Sequence, residues 1–208
     1  MTFIDETTKE LRIKIVYYGP PFSGKTTNLV KLHEALKAKV PTGNMVSLAT
    51  RSDKTIFFDF LPARPMTIRG YKVRFVCCTV PGPVAYDSSR QWLLQDVDGV
   101  VFVADSQTEK MSENAASLEN LRQNLRSLKL NPDELPFVLQ YNKRDLPNVA
   151  PAEQIEALLG NRPVRFPAFL AIATQGVGVL DALNELKQML LDKFGGGDDA
   201  AAAPLVLK

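Results

Sequence analysis

The stretch GPPFSGKTT, residues 19–27, decides the fold. It matches G-x-x-x-x-G-K-S/T without a gap, with Gly19, Gly24, Lys25 and Thr26 at the fixed positions. The apolar run LRIKIVYY precedes it and a helical pattern follows it, which is the strand-loop-helix context of a phosphate-binding loop. We expect main-chain N–H groups to face the phosphates, Lys25 to reach the β and γ oxygens, and Thr26 to bind Mg²⁺.

Two prolines limit which amides of this loop donate to phosphate. Pro20 and Pro21 have no N–H group. The donors are therefore expected from residues 22–27, so that Phe22, Ser23 and Thr27 join the binding residues. The sequence predicts a loop that binds phosphate with reduced flexibility near the γ position.

The bulk composition predicts one domain over residues 1–194 and a flexible tail over residues 195–208, where GGGDDAAAAPLVLK changes composition abruptly. Lys and Arg number 25 against 23 Asp and Glu, which argues against nucleic acid as the main partner. No apolar run is long enough for a membrane span, and we expect a cytoplasmic protein. Thr at position 2 and a C-terminus without cysteine predict no lipid anchor.

Alternating apolar runs and breakers predict an α/β fold of the P-loop NTPase type, doubly wound around a mostly parallel six-stranded sheet. Buried parallel strands are expected at 11–18, 98–106, 135–143 and 166–173, with an antiparallel edge hairpin formed by 55–61 and 71–80. Residues 45–50 also have an extended pattern. Helices are expected at 25–39, 112–129 with Ser112 as N-cap, 151–159, and 179–194.

A second motif, Asn142-Lys143-Arg144-Asp145, follows the predicted strand VLQY and has the N-K-x-D form of the guanine-recognition motif of GTPases. A carboxylate at Asp145 accepts both N1–H and the exocyclic amino group of guanine, which adenine does not present. The stem of Lys143 is expected to lie over the base plane. After the last strand, a main-chain N–H of Ala173 or Thr174 is expected to meet guanine O6.

Several segments of the sequence together resemble one known protein family. These are YYGPPFSGKTTNL, DKTIFFDFLP, TVPG at 79–82, DGVVFVADSQ, LENLRQNL, QYNKRDLPN and GVGV. Together they resemble the Ras-like small GTPases and, within them, the bacterial MglA family of polarity GTPases. The resemblance covers about residues 3–194 and is specific because TVPG replaces the DTAG of most small GTPases.

The resemblance implies a GTP/GDP switch that uses Mg²⁺. It implies that the hydroxyl of Thr55 binds Mg²⁺, that Thr79 stands where an Asp usually orients that ion, and that the Gly82 N–H contacts the γ-phosphate. It also implies a role in bacterial polarity or motility, a roadblock-type MglB-like dimer as activating partner, and downstream effectors.

The sequence departs from the family at the catalytic positions. Pro83 follows TVPG where the family carries a Gln that orients water, and Lys54 replaces an Arg that acts as an arginine finger. Arg51 is a candidate substitute, and Pro21 stands where relatives have Gly. The catalytic set is therefore Lys25, Thr55, Gly82, Lys54 and Arg51, and the hypothesis is slow or partner-dependent hydrolysis.

Two other functions stay open at this point. The first is a GTP-loaded binding scaffold with little or no hydrolysis. The second is an ATP-dependent phosphotransferase, which the phosphate loop alone allows and the N-K-R-D motif argues against.

The remaining polar and aromatic residues are expected to have structural roles. Cys77 and Cys78 are interpreted as small core residues, and His33 as a surface or packing residue. Trp92 and three phenylalanines, Phe57, Phe58 and Phe60, are expected to pack in the core, with exposure of some of them to a partner as the alternative. Solvated or capping roles are expected for four aspartates, Asp59, Asp96, Asp98 and Asp105.

Overall fold

A computed structural model describes residues 3–49, 54–81, 87–159 and 166–195 of the chain. Its strands are β1 Phe3–Asp5, β2 Glu10–Tyr18, β3 Val46–Ala49, β4 Lys54–Phe60, β5 Thr67–Ile68, β6 Tyr71–Thr79, β7 Gly99–Asp105, β8 Phe137–Asn142 and β9 Ala168–Leu170. Its helices are α1 Lys25–Lys37, α2 Asp87–Leu94, α3 Met111–Ser127, α4 Ala152–Leu159 and α5 Val179–Phe194. Short 3-10 helices lie at Thr108–Lys110 and Ala173–Gln175.

The strands form one mixed sheet in the order β3-β4-β6-β2-β7-β8-β9. From β6 to β9 all neighbours are parallel, whereas β3 and β4 run antiparallel at the edge. The expected doubly wound α/β fold with its antiparallel edge is therefore confirmed. Because β2 and β8 are near the centre of a parallel set, their carboxyl ends open on the same side, where ligands of such sheets bind.

The described residues contain nine strands rather than the expected six. The short strands β1 and β5 pair only with the ends of β2 and β6, and residues 46–49 form the edge strand β3. Strands of two or three residues are too short to show a periodic pattern, so the sequence does not predict them. Between β5 and β6, Arg69 and Gly70 have φ of 51° and 83°, the two positive values that a tight hairpin turn of this twist requires.

Two apolar layers cover the two faces of the sheet. One packs α1 and α5 against residues such as Ile13, Phe58 and Phe75, and the other packs α2, α3 and α4 against residues such as Phe102 and Phe137. Every residue of β7 and β8 is buried, as expected for central parallel strands. Cys77 and Cys78 are buried, unpaired thiols, which confirms their core role.

The observed helices match the helices predicted from the sequence, except at two places. Ser112 is not the N-cap of α3, because the helix begins at Met111 directly after a 3-10 turn. The sequence does not predict the helix α2, because the inward face of this helix carries an arginine. None of the described helices combines the length and apolarity that a membrane span requires.

Candidate nucleotide-binding site

Residues 19–27 connect the carboxyl end of β2 to the first turn of α1, and their glycines are required by space and conformation. Gly19 and Gly24 have φ of 145° and 100°. A Cβ at Gly19 would lie 2.2 Å from the carbonyl oxygen of Val103, and one at Gly24 would lie 2.2 Å from Nδ2 of Asn142. Phe22 also has a positive φ of 59°, and its side chain is 89% exposed. The loop therefore lies against the ends of the neighbouring strands.

The loop has the groups that a phosphate requires. The buried Lys25 ammonium donates to the carbonyl oxygens of Gly19 and Pro20, at 3.0 and 2.6 Å. No side chain caps the N-terminus of α1, where Thr26 and Thr27 lie in the first turn. The Ser23 hydroxyl is buried and has no hydrogen-bond partner within the described part of the chain. A helix N-terminus, a held ammonium and a free hydroxyl together suit an anionic ligand.

Asn142 joins the three segments that the sequence singled out. Its Nδ2 donates to the carbonyl oxygen of Ser23 at 2.8 Å, and its Oδ1 accepts from the N–H of Ala173 at 2.9 Å. The side chain is buried at the end of β8. One amide therefore connects the phosphate loop, the N-K-R-D motif and the loop after β9, which are far apart in sequence.

Lys143 is held by a carboxylate that the sequence analysis placed in solvent. Its Nζ donates to Oδ2 of Asp105 at 2.6 Å and lies 3.5 Å from Oε1 of Gln107. Asp105 is 1% exposed and its main chain exchanges two hydrogen bonds with the buried side chain of Asn114. Oδ1 of Asp105 also accepts a hydrogen bond from the N–H of Gln107 at 3.1 Å, which caps the turn after β7. Asp105 is therefore not solvated, whereas the expected capping role is confirmed. The carboxylate fixes the Lys143 side chain beside the predicted base position.

The remaining residues predicted to recognise the base lie at the same edge of the sheet. Asp145 is exposed, so its carboxylate is accessible. The N–H of Ala173 is already bonded to Asn142, which leaves the exposed Thr174 as the better donor for guanine O6 in this pair.

The Thr79 hydroxyl lies between two strands at the predicted Mg²⁺ edge. It is fully buried at the end of β6 and accepts a hydrogen bond from the N–H of Ile56 at 2.9 Å. Ile56 follows Thr55, which is half-buried near the start of β4. Thr79 therefore contacts the residue that follows Thr55, so that the two threonines lie on neighbouring strands. In the described ranges no three His, Cys, Asp or Glu side chains form a metal-binding group.

Part of the predicted catalytic set is not described. Arg51, Gly82 and Pro83 lie outside the described residues, and Lys54 begins β4. Their assignments stay predictions.

Four further side chains test the expected packing roles. Trp92 is 65% exposed, so the core alternative is wrong for this residue, whereas Phe58 and Phe60 are buried as that alternative predicts. His33 contacts the Phe58 ring edge-on with 5.1 Å between centroids, which confirms packing.

Two more aspartates also have structural partners. Asp98 accepts from the Lys14 N–H at 2.8 Å, and Asp59 accepts from Arg74. The expected solvated or capping role is therefore replaced by a cross-strand contact at both positions.

Arg90 is a buried residue that sequence reasoning missed altogether. It is 1% exposed on α2 and donates to the carbonyl oxygen of Pro81. An arginine in a short polar helix gives no sequence signal of burial.

Comparison with known proteins shows a relative that covers nearly the whole chain. The chain is 47% identical over 197 residues to the mutual gliding-motility protein MglA of Myxococcus xanthus, an alignment that covers 95% of this chain and 100% of that protein. No protein-family model matches the chain.

Proposed function

The chain belongs to the MglA family of Ras-like small GTPases, and on this premise we propose that it is a GTP-operated switch acting in bacterial motility or polarity. The observation that carries the proposal is the double hydrogen bond of Asn142 to Ser23 and Ala173. This pair of hydrogen bonds connects the phosphate loop, the N-K-R-D motif and the loop after β9, which supports a single nucleotide site at this edge of the sheet.

The triphosphate would bind along the loop and the first turn of α1. Lys25 and the amides of residues 22–27 would contact its oxygens, and the orphaned Ser23 hydroxyl supports a polar ligand there. Thr26, Thr55 and Thr79 would hold Mg²⁺, which neutralises charge on the β- and γ-phosphates when bound. The link from Thr79 to Ile56 keeps two of these hydroxyl residues at neighbouring positions.

The base would bind between Lys143 and Asp145. The ion pair with Asp105 holds the Lys143 side chain in one position, so that its aliphatic stem can pack against the base with little loss of side-chain entropy. Asp145 would accept two hydrogen bonds from guanine, with Thr174 as the main-chain donor to O6. Adenine would leave this carboxylate without partners, and such a loss costs a polar site several kcal/mol.

The Asn142 contact is tested by its removal. Asn142→Ala should raise the dissociation rate of fluorescently labelled GDP at least ~10-fold, because both the phosphate loop and the Ala173 loop lose their common partner. The control is Asn148→Ala, an exposed side chain in the following loop. Equal dissociation rates for Asn142→Ala and the unmodified protein would contradict the proposed site.

Hydrolysis is proposed to be slow. Pro83 has no amide to orient water, and Lys54 lacks the planar fork of an arginine finger, whose loss costs ~10³–10⁵ in rate for this chemistry. Pro83→Gln should therefore raise the single-turnover rate at least ~10-fold, and Pro83→Ala serves as the control that removes proline without adding an amide. Equal hydrolysis rates in Pro83→Gln and Pro83→Ala would refute the proposal that the missing side-chain amide slows hydrolysis.

The three departures from the family sequence, Pro21, Lys54 and Pro83, favour a second candidate function. This is a binding scaffold that stays loaded with GTP because it hydrolyses GTP little or not at all. The nucleotide extracted from purified protein separates the two. Mostly GTP supports the scaffold, and mostly GDP supports a hydrolase.

The proposed activating partner is a roadblock-type, MglB-like dimer, with separate effectors for the GTP state. Groups supplied in trans restore fast hydrolysis in related chemistry. A rate that rises when such a dimer is added would support this assignment, and an unchanged rate together with no co-elution would count against it.

A further inference from the structure

Asp105 is a buried carboxylate at the carboxyl end of β7, and its two oxygens have different partners. Oδ1 accepts from the N–H of Gln107 at 3.1 Å, and Oδ2 accepts from Nζ of Lys143 at 2.6 Å. The main chain of Asp105 is bonded at both its N–H and its carbonyl oxygen to the side chain of Asn114, at 2.9 and 2.8 Å. The protein therefore fixes the main chain and one oxygen of Asp105, and the second oxygen is left to bind the lysine.

Lys143 is the more exposed member of this pair. Its side chain is 27% exposed, whereas that of Asp105 is 1% exposed. An unpaired lysine side chain has many rotamers in water, and ordering it costs conformational entropy. A short hydrogen bond between an ammonium and a buried carboxylate is strong enough to select one of these rotamers. Asp105 therefore holds the lysine in one place before any ligand binds.

The main chain at Lys143 is also held in an uncommon conformation. Its φ of 66° lies in the left-handed region, which residues with side chains rarely adopt. The Arg144 N–H donates to the carbonyl oxygen of Ala171 at 3.1 Å, and the Leu146 N–H donates to that of Lys143 at 3.2 Å. Conformations of this kind persist where surrounding contacts enforce them, and they are frequent at ligand sites. Main chain and side chain of Lys143 are thus both preset.

We propose that Asp105 is a positioning residue for nucleotide retention, because its charge holds Lys143 where the lysine stem covers the base and thereby slows release of the nucleotide. The inference rests on the proposed function, which assigns Lys143 to the base plane. Without the carboxylate, each binding event would have to order the lysine, and affinity would fall. The effect concerns the base end of the ligand, so GDP and GTPγS should be affected alike.

The first test is the dissociation rate of fluorescently labelled GDP from Asp105→Asn. The amide keeps an oxygen for the Gln107 N–H and loses the charge that holds Lys143. The rate should rise about tenfold, within the range of coupling between contacting residues, and the affinity for GTPγS should fall by a similar factor. Gln107→Ala removes the weaker acceptor of Lys143, at 3.5 Å, and should raise the rate by a smaller factor. The Gln107 variant does not depend on the folding of Asp105→Asn.

A double variant separates positioning of Lys143 from a general effect on the fold. Lys143→Met alone and Lys143→Met combined with Asp105→Asn should release labelled GDP at equal rates, because Asp105 acts through the lysine. A further rise in the double variant, by the factor seen for Asp105→Asn alone, would show that Asp105 acts by another route and would overturn the inference.

The position of Lys143 can also be followed without nucleotide, by its rate of acetylation with acetic anhydride measured by mass spectrometry. The ammonium should react faster in Asp105→Asn, because it loses its partner. Lys31, which pairs with Glu34 on α1 at 2.9 Å, should react at an unchanged rate. Equal acetylation of Lys143 in Asp105→Asn and the unmodified chain would contradict the proposed hold on the lysine.

The control variant is Asp98→Asn. Asp98 directly precedes β7, is 6% exposed and accepts from the Lys14 N–H at 2.8 Å, so it is a similarly buried carboxylate at the other end of the same strand. Its loss should lower thermal stability and leave GDP release unchanged. Unchanged release in both Asp105→Asn and Gln107→Ala, or an equal rise in Asp98→Asn, overturns the inference. When the unmodified chain binds no labelled GDP, the proposed function itself fails, and the inference fails with it.

Discussion

At the scale of single residues, Gly24 occupies a position of the phosphate loop that has no room for a side chain. Its φ of 100° is rare for side-chain-bearing residues, and a Cβ would lie 2.2 Å from the Asn142 amide that ties the site together. Gly70 offers a matched comparison, because its φ of 83° is also positive but nothing lies within 4 Å of its Cβ position.

Gly24→Ala and Gly70→Ala should both lose stability, by about 1–2 kcal/mol, from positive-φ strain alone. Only Gly24→Ala should also lose nucleotide affinity, at least ~10-fold, because the Asn142 side chain has to move. Urea unfolding and titration with labelled GDP measure the two effects. Equal GDP affinity in both variants would show that the contact between Gly24 and Asn142 does not shape the site.

Asp105 shows what a single-residue pattern does not reveal. Its partner Lys143 is 38 residues later in the chain, and only the pairing of β7 with β8 brings the two together. A carboxylate at the end of a strand commonly caps or meets solvent, so the sequence gives no sign of the ion pair. Asn142 and Lys25 were predictable, since each lies in a motif whose spacing is tied to one chemistry.

At the scale of elements, Arg74 on β6 links the strands on either side of it. Its Nε and Nη2 donate to the two carboxylate oxygens of Glu10 on β2, at 2.9 and 2.7 Å, and its Nη1 donates to Asp59 on β4. The Arg74 hydrogen bonds hold the pKa of the Glu10 carboxyl below its ordinary value of 4.5, although burial opposes the shift. A two-point contact of this kind is stronger than a single surface ion pair.

Glu10→Gln should therefore lower the free energy of unfolding by about 1 kcal/mol at pH 7. A carboxyl whose pKa is lowered by folding contributes stability above its ordinary value of 4.5, and this contribution is lost as the pH falls through the folded pKa. The difference between Glu10→Gln and the unmodified chain should accordingly shrink at acid pH in urea titrations.

Glu113→Gln is the control for this series, because Glu113 pairs with Lys110 on an exposed helix surface and should change stability by only a few tenths of a kcal/mol. A difference for Glu10→Gln that is as large at acid pH as at pH 7 would rule out the ionised pair as its cause.

The helices differ in how far the sequence predicts them, for physical reasons. The bounds of α5, Val179–Phe194, follow from a long apolar face that repeats at helical spacing. The helix α2 has eight residues, an exposed Trp92 and a buried Arg90, which reverses the usual relation between polarity and burial. Tertiary hydrogen bonds to Pro81 and Asn120 stabilise that reversal, and such contacts are not visible in a local pattern.

At the scale of the whole molecule, the sheet order explains why distant motifs meet. The parallel strands β2, β7, β8 and β9 are successive neighbours, and three of them are followed by a segment assigned to the nucleotide. The fold class was predictable from the alternating apolar runs. The contacts between the loops were not, because Asn142 reaches Ser23 across 119 positions in the chain.

The central claim is that one site holds a triphosphate and distinguishes its base, and competition against labelled GDP with Mg²⁺ tests it most directly. GTP and GDP should displace the label at similar concentrations, whereas ATP should require at least ~100-fold more, because adenine leaves Asp145 without its hydrogen-bond donors. Displacement by ATP as readily as by GTP, or no binding of labelled GDP at all, would contradict the account.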